Sequence, residues 1–228
     1  IFCLNENLDN IPLIQRTCCF NAAVAIKNYQ KESINESERI FNLFEKSGTN
    51  NLTYTLDAGL KLSSNLCVLN QFEKANIIIE KCLNYLKHYN SVNKNDLFNQ
   101  LLIEKYFIEL EKSFYNGTIV EKEYLSNIAE KWLEYSNYKN KLIYPIMRTL
   151  YNLRDYKGLK SFIEIVKKDP ELGKWLVCDI EHYAALIEIQ FHKRLDKGKL
   201  LLSKCIKNLL YENDNHFLSV KSRIFTTF

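Results

Sequence analysis

Two short stretches decide the fold class, LNQFEKA at residues 69–75 and LRDYKGL at residues 153–159. Each begins with an apolar helix end, continues with two polar residues and an aromatic residue, and closes with residues that let a second helix approach. A third stretch, LDKGKL at 195–200, is a weaker copy. Such turns between runs of helical periodicity predict helix hairpins, and a spacing of about 40 residues, once or doubled, indicates a repeated unit.

Helical periodicity extends from these turns along most of the chain. Six glycines and three prolines in 228 residues are too few for a protein with many strand-connecting turns. We therefore predict an all-α fold, an antiparallel helix-hairpin array that is tetratricopeptide-like or an irregular α-solenoid. The predicted helices span about 12–29, 33–48, 52–69, 72–89, 95–116, 121–135, 140–153, 155–168, 170–192 and 196–211, with a final segment at 213–228.

Two prolines bear on where helices begin. Pro145 either starts the seventh helix or kinks it, because proline lacks a backbone donor and its ring clashes with the preceding turn. The pair Asp169 and Pro170 predicts an N-cap followed by a first-position proline, which would open a ninth helix reaching about residue 192. We predict one domain over 1–228, with a possible subdivision near 138–145.

The turns resemble those of tetratricopeptide repeats, in which an aromatic residue after the turn and a small residue beyond it allow two antiparallel helices to pack closely. The likeness covers the turns alone, because the tryptophan, glycine and proline positions of a full repeat are missing. It implies a curved stack of hairpins that exposes one concave face.

The charge and hydropathy patterns exclude two classes of partner. Thirty-one basic and 27 acidic side chains leave a formal charge of +4, and no cluster of lysine and arginine exceeds a few residues, so nucleic-acid binding is not predicted. The longest apolar runs, at 77–79 and 200–202, are far shorter than the roughly 20 residues that cross a bilayer. Seven cysteines without a C-x-x-C pair indicate small core residues in a reducing compartment, and we expect a cytoplasmic protein.

No catalytic residue, metal site or cofactor is predicted. Glu188 and His192 stand at an i,i+4 spacing, which is more typical of a surface pair than of a metal site, and His182 lies on a different helical face. The carboxylates do not form the paired set that a hydrolase requires, and we interpret them as solvated helix faces. They are Glu104, Glu109, Glu111, Asp179 and Glu181.

The aromatic residues around 132–148 offer a candidate partner-binding edge. Trp132, Tyr135, Tyr138 and Tyr144 surround a polar connection, and Arg148 follows Tyr144 by one turn. Tyrosine and tryptophan combine a large apolar body with a polar tip, which suits interface anchors. The alternative is that these side chains simply pack between helices.

The final third of the chain resembles bacterial immunity proteins of polymorphic toxin systems, notably the immunity protein 49 family. The resemblance rests on DYKGL at 155–159, a short helix, EHYAAL at 181–186 and a closing amphipathic helix. It implies a non-enzymatic protein that binds and neutralises a cognate toxin. It transfers no individual binding residues.

Two alternatives remain open. The chain could be a tetratricopeptide-like peptide-sensing or scaffold domain of a bacterial regulator, in which Asn65, Asn70 and Asn76 would contact an extended peptide. It could also be a helical enzyme whose site gathers residues distant in sequence. The protein or short-peptide partner and the oligomeric state stay open at this level.

Overall fold

A computed structural model describes residues 30–46, 52–88, 94–135, 137–170 and 172–210. Within these residues there are nine α-helices and no strand, which confirms the all-α prediction. The predicted helix at 12–29 and the final segment at 213–228 lie outside the described residues. The chain forms two compact units that meet in sequence between Asn116 and Gly117. We call them unit 1 and unit 2.

The possible subdivision near 138–145 falls inside unit 2 and does not coincide with this division. Its sequence signal was Pro145, which lies in the first turn of a helix that begins at Ile143. Proline is tolerated there because the first backbone N–H groups of a helix have no intrahelical acceptor. Pro145 therefore belongs to a helix start. The prediction of a single domain stays a prediction.

The described part of unit 1 has four helices: α1 at Gln30–Lys46, α2 at Leu52–Val68, α3 at Phe72–Lys87 and α4 at Lys94–Asn116. Consecutive helices pack against one another, as helix hairpins require. Apolar side chains at helical spacing bury one face of each helix in a common core, whose fully buried members include Phe41, Phe44, Leu56, Leu62, Leu66, Ile79, Leu86 and Leu101.

The described part of unit 2 contains five α-helices, four of them shorter than any described helix of unit 1, and three irregular helical segments. In chain order they are α5 at Lys122–Glu130, 3-10 helices at Trp132–Glu134 and Asn137–Leu142, α6 at Ile143–Asn152, α7 at Tyr156–Val166, α8 at Lys174–Leu186, a π-helical segment at Ile187–Phe191 and α9 at Leu195–Leu210.

The two stretches that decide the fold class form the same turn. After α2, the N–H of Gln71 donates to the carbonyl of Leu66 at 2.8 Å, and the intervening Asn70 has a φ of 57°. After α6, the N–H of Asp155 donates to the carbonyl of Leu150 at 2.9 Å, with Arg154 at a φ of 56°. Both are Schellman motifs, which end a helix by placing one residue in the left-handed region.

The third stretch follows a different turn, which lies three residues earlier than the sequence predicted. The N–H of Arg194 donates to the carbonyl of Glu188, six residues back, at 2.8 Å, whereas the first two turns bond five residues back. Lys193, with a φ of 57°, is the counterpart of Asn70 and Arg154. When Lys193 is aligned with Asn70 and Arg154, Gly198 takes the position of Ala75 and not that of Gly158 in LRDYKGL. A Cβ at Gly198 would overlap the side chain of Ile189, so the glycine allows α9 to approach the π-helical segment.

The predicted start of the ninth helix is wrong. The helix begins at Lys174 and is capped at Gly173, whereas Asp169 lies before it and forms an ion pair with Lys139. The predicted helix at 121–135 is also shorter than expected, because α5 ends at Glu130 and a 3-10 turn follows. At the ninth helix, the side chain that the sequence assigned to the cap pairs with Lys139 instead.

Candidate functional site

Trp132, the first residue of the predicted partner edge, is a core residue of unit 2. Its side chain has no exposed surface and meets the ring of Phe162 edge-on at 6.1 Å. The indole Nε1–H donates to the carbonyl of Lys139 at 2.8 Å. The Lys139 ammonium lies 5.0 Å above the indole and 3.2 Å from Asp169, whose side chain is 3% exposed. Trp132 therefore supports the irregular segment between α5 and α6.

The other predicted residues have different positions. Arg148 is 8% exposed, and its guanidinium carbon lies 5.3 Å from the centre of the Tyr144 ring. Tyr135 is half-buried, and the side chain of Tyr138 lies outside the described residues. The structure thus brings Tyr144 and Arg148 together and places Trp132 in other contacts. The partner-binding edge stays a prediction.

Tyr144 is one end of a continuous line of aromatic rings through unit 2. Its ring is 6.3 Å from Tyr183, which is 5.8 Å from Tyr151. Tyr151 is 6.1 Å from Tyr156, and Tyr156 is 5.3 Å from Phe191. We call these five residues the aromatic ladder. It begins among buried residues and ends at Phe191, which is 45% exposed.

Sequence reasoning found one member of the ladder and missed four. Tyr144 and Tyr151 are seven residues apart on α6, so they share a helix face. Tyr156 follows the Schellman turn after α6, and the positions of Tyr183 and Phe191 depend on how α8 and the π-helical segment pack. The seven-residue spacing was a usable signal, whereas the contacts between helices were not visible in the sequence.

The ladder ends beside a group of charged residues. Lys197 donates to Glu188 at 2.7 Å, and Arg194 approaches the second oxygen of Glu188 at 3.8 Å. The hydrogen bond from Lys197 is the main reason that the pKa of Glu188 lies below its usual range. The nearby His192, whose ring is 4.9 Å from Phe191, acts in the same direction. Glu188 is therefore held as a carboxylate by α9 and the turn before it.

A groove of about 280 Å³ opens next to this group, between α7, the end of α8 and α9. Its apolar lining consists of Ile163, Ala184, Ile187 and Leu201, and its charged and polar lining consists of Lys160, Glu164, Lys167, Glu188, His192 and Lys197. The π-helical segment contributes Ile187 and Glu188 to it. Single π turns inside α-helices are frequent at functional sites, because they shift side chains off the regular helical spacing.

Two carboxylates that the sequence placed on solvated faces are buried. Glu104 is 4% exposed and accepts hydrogen bonds from Ser63 at 3.2 Å and Ser64 at 2.9 Å, and Asp179 has no exposed surface. The interpretation as solvated residues is wrong for both. Among the described residues, no three histidine, cysteine, aspartate or glutamate side chains are grouped in a way that would hold a metal ion.

The described cysteines are core residues, as the sequence indicated. Cys67, Cys82, Cys178 and Cys205 are buried thiols, while residues 3, 18 and 19 lie outside the described part. Burial, with Glu45 nearby, raises the pKa of Cys82 to about 12. Burial, with Glu181 nearby, also raises the pKa of Cys205. Both therefore remain protonated thiols at neutral pH. Because only the thiolate is a strong nucleophile, neither cysteine is activated for nucleophilic attack.

The three asparagines of the peptide-sensing alternative have different environments. Asn65 donates to Ser37 at 3.4 Å, and Asn70 is the exposed left-handed residue of the first turn. Asn76 is half-buried, and its side-chain oxygen has no hydrogen-bond partner among the described residues. Peptide sensing therefore stays a prediction.

Comparison with protein-family models, with curated proteins and with solved structures gave no match to this chain. None of the described helices combines the length and the apolar character that crossing a membrane requires.

Proposed function

We propose that this chain is a protein-binding module that acts by binding and neutralising a bacterial toxin. The observation that carries the proposal is the aromatic ladder, because it leads from buried contacts of α6 and α8 to the exposed ring of Phe191. An exposed aromatic ring that packs against neighbouring rings loses little conformational entropy on binding, which is typical of interface hot spots.

The ladder includes residues from both stretches that carry the resemblance to immunity proteins. Tyr156 belongs to DYKGL at 155–159, and Tyr183 belongs to EHYAAL at 181–186. The two stretches place their tyrosines on either side of Tyr151, within 6.1 Å and 5.8 Å of its ring. The resemblance and the surface feature therefore concern the same part of unit 2.

Burial raises the pKa of Tyr151 above its ordinary value, so its hydroxyl group stays protonated at neutral pH. The hydroxyl group of Tyr156 forms a 3.4 Å hydrogen bond with the side chain of Gln190. The ladder thus combines apolar ring edges with hydroxyl groups, the combination that makes tyrosine common in interfaces.

The test is co-expression of the chain with the toxin domain encoded next to its own gene, scored by cell survival. We expect the wild-type chain to restore growth and Tyr156→Ala/Phe191→Ala to fail, since loss of a hot spot weakens binding by about 30-fold or more. Phe114→Ala is the matched control, because Phe114 is an exposed aromatic residue of unit 1. Failure of the wild-type chain to protect against the toxin would contradict the proposal.

A further inference from the structure

Unit 1 has a groove of about 340 Å³ between the end of α3 and the start of α4. We call it the hairpin groove, because α3 and α4 pack together as consecutive helices. Its volume is within the range of pockets that bind small molecules, which begins at about 300 Å³. The described residues that line it are Glu80, Leu83, Leu86, Lys87, Lys94 and Phe98.

Ion pairs between α3 and α4 show how the two helices face each other. Glu73 pairs with Lys112, and Glu80 pairs with Lys105. A step of seven residues forward on α3 is therefore matched by a step of seven residues back on α4. The helices are antiparallel, and their facing charges neutralise each other as far as Glu80.

The pattern of paired charges ends at the next step. The same spacing places Phe98 of α4 opposite Lys87 of α3, and both residues line the groove. The ammonium group of Lys87 donates to the side chain of Asn84 at 3.0 Å, and that of Lys94 donates to the backbone carbonyl of Lys87 at 3.3 Å. Neither lysine forms an ion pair with a described residue.

The described lining therefore changes in character along the groove. Glu80 stands at one end and is neutralised by Lys105, which is not among the described lining residues. The middle is apolar and incompletely covered, because Leu83 is half-buried and Phe98 is 47% exposed. The two lysines occupy the other end, and each ammonium group has two donors beyond the one already used.

We propose that the hairpin groove binds a small monocarboxylic acid with an apolar body. The carboxylate lies between Lys87 and Lys94, with one oxygen atom for each ammonium group, and the body covers Leu83 and Phe98. Charge-assisted hydrogen bonds of this kind are stronger than those between neutral groups. The site lies in unit 1 and does not rest on the proposed function.

The length of the groove limits the size of the acid. Glu80 and Lys87 are seven residues apart on one helix, which corresponds to about 10 Å at a rise of 1.5 Å per residue. A medium-chain fatty acid or a short acid with a phenyl group matches this length. Either would place its apolar end beside the neutral pair of Glu80 with Lys105.

A carboxylate fits the charged end better than a phosphate ester. The backbone carbonyl of Lys87 lies at this end of the groove, and the last carbonyl groups of a helix carry partial negative charge. A phosphate has a charge near −2 and acceptor oxygens on three sides, so it would bring negative charge against these carbonyls. A flat carboxylate directs its two oxygens at the lysines alone.

The test measures binding of octanoate to the full chain by isothermal titration calorimetry at neutral pH and low salt. We expect a Kd of about 0.1–1 mM, which is typical of a ligand with few atoms. Octanol has a similar body without the charge and should bind about tenfold more weakly. Octylamine, which carries the opposite charge, should not bind.

Two variants test the two ends of the site. Lys87→Met/Lys94→Met should reduce the affinity for octanoate about tenfold, to that for octanol, because it keeps the length of the side chains and removes both charges. Its matched control is Lys46→Met/Lys74→Met, two exposed lysines of unit 1 without an ion pair to a described residue.

Phe98→Ala tests the apolar body and should weaken octanoate and octanol by the same factor. Phe114→Ala is its control, because Phe114 belongs to the same helix and is 52% exposed. Circular dichroism would verify that each variant keeps its helices. A loss of affinity in the control variants equal to that in the groove variants would overturn the assignment to this groove.

Three further outcomes would overturn the proposal. They are the absence of binding by both octanoate and phenylpropionate, equal affinities for octanoate and octanol, and wild-type affinity in Lys87→Met/Lys94→Met. Tighter binding of octyl phosphate than of octanoate would overturn the choice of a carboxylate. None of these measurements involves a toxin, so their failure is distinct from a failure of the proposed function.

Discussion

Unit 1 and unit 2 use the same turn but stabilise their helices differently. In unit 1 the helices are regular, and a continuous apolar core packs between consecutive helices. In the described part of unit 2, four of the five helices are shorter, and two 3-10 helices and one π-helical segment lie between them. These irregular segments depend on particular contacts, such as the hydrogen bond from Trp132 to Lys139 and the ion pair of Lys139 with Asp169.

Irregular helical segments allow side chains to leave the regular helical spacing. A regular helix places its side chains at fixed angular steps, so its exposed face is set by its buried face. A π turn or a 3-10 turn breaks that relation, and the structure must compensate for the altered backbone with tertiary contacts. In unit 2 these segments border the aromatic ladder and the groove, which explains why the candidate site is there.

The largest expected effect comes from removing the residue that supports the irregular segment. Trp132→Ala should lower the free energy of unfolding of unit 2 by about 3–5 kcal/mol, because it removes a fully buried aromatic side chain and leaves a cavity. Chemical unfolding followed by circular dichroism and hydrogen exchange would measure the loss.

The loss of stability should be confined to unit 2. We expect amide protection in α5, α6 and α7 to fall while that in α2 and α3 is retained. Trp132→Phe is the matched variant, because it keeps an aromatic ring in the core while it removes the donor to Lys139. An equal loss of amide protection in both units would contradict a role of Trp132 that is confined to unit 2.

An intermediate effect is expected at the equivalent cap positions of the two turns. Asp155 accepts a hydrogen bond from the N–H of Gly158 at 3.1 Å and lies 3.0 Å from Lys122, whereas Gln71 in unit 1 makes no side-chain cap hydrogen bond. Asp155→Ala should therefore cost about 1 kcal/mol. Gln71→Asp should stabilise unit 1, and thermal unfolding of both variants would compare the two caps.

The cap also predicts a pH dependence. Burial raises the pKa of Asp155, but the hydrogen bond from Gly158 and the charge of Lys122 outweigh it, so the pKa of the folded state is lowered. The ionised Asp155 side chain stabilises the fold fully at pH values above its pKa in the unfolded chain, about 3.9. This stabilisation is lost as the pH falls through the lower pKa of the folded state. The difference in the free energy of unfolding between wild type and Asp155→Ala should shrink over that pH range. A difference that stays constant would contradict the assignment of the cap to the Asp155 carboxylate.

The smallest expected effect concerns the left-handed residue of each turn. A side chain with a Cβ is strained there, and asparagine tolerates the conformation better than arginine. Arg154→Gly should thus stabilise unit 2 by about 0.5–1 kcal/mol, after allowance for the greater freedom of glycine in the unfolded chain. Asn70→Gly should change the free energy of unfolding of unit 1 by a smaller amount. Equal shifts in the unfolding midpoints would argue against different strain in the two turns.

Much of the local structure was predictable from the sequence, because it depends on neighbouring residues. The turns at 69–75 and 153–159 were recognised from their apolar and polar order, and α2, α3 and α4 begin and end within two residues of their predicted bounds. The start of α8 was not predictable in this way, because Asp169 pairs with Lys139, which is 30 residues away.

The candidate site shows the same limit. Trp132, Tyr135, Tyr138, Tyr144 and Arg148 are close in sequence, and that proximity suggested a shared surface. In the structure Tyr144 instead joins Tyr183 and Phe191, which are about 40 or more residues away in sequence. Proximity along a helix fixes a face, but which faces meet depends on packing.

The sequence by itself determined the all-α class and the positions of the main turns, since hydrophobic periodicity and left-handed helix ends are local properties. Only the tertiary structure decided that Trp132 is buried, that Asp179 and Glu104 leave the solvent, and that five aromatic residues form one ladder. The physical reason is that burial and ring contacts depend on which helices pack together, and packing sums many weak contacts between residues far apart in the chain.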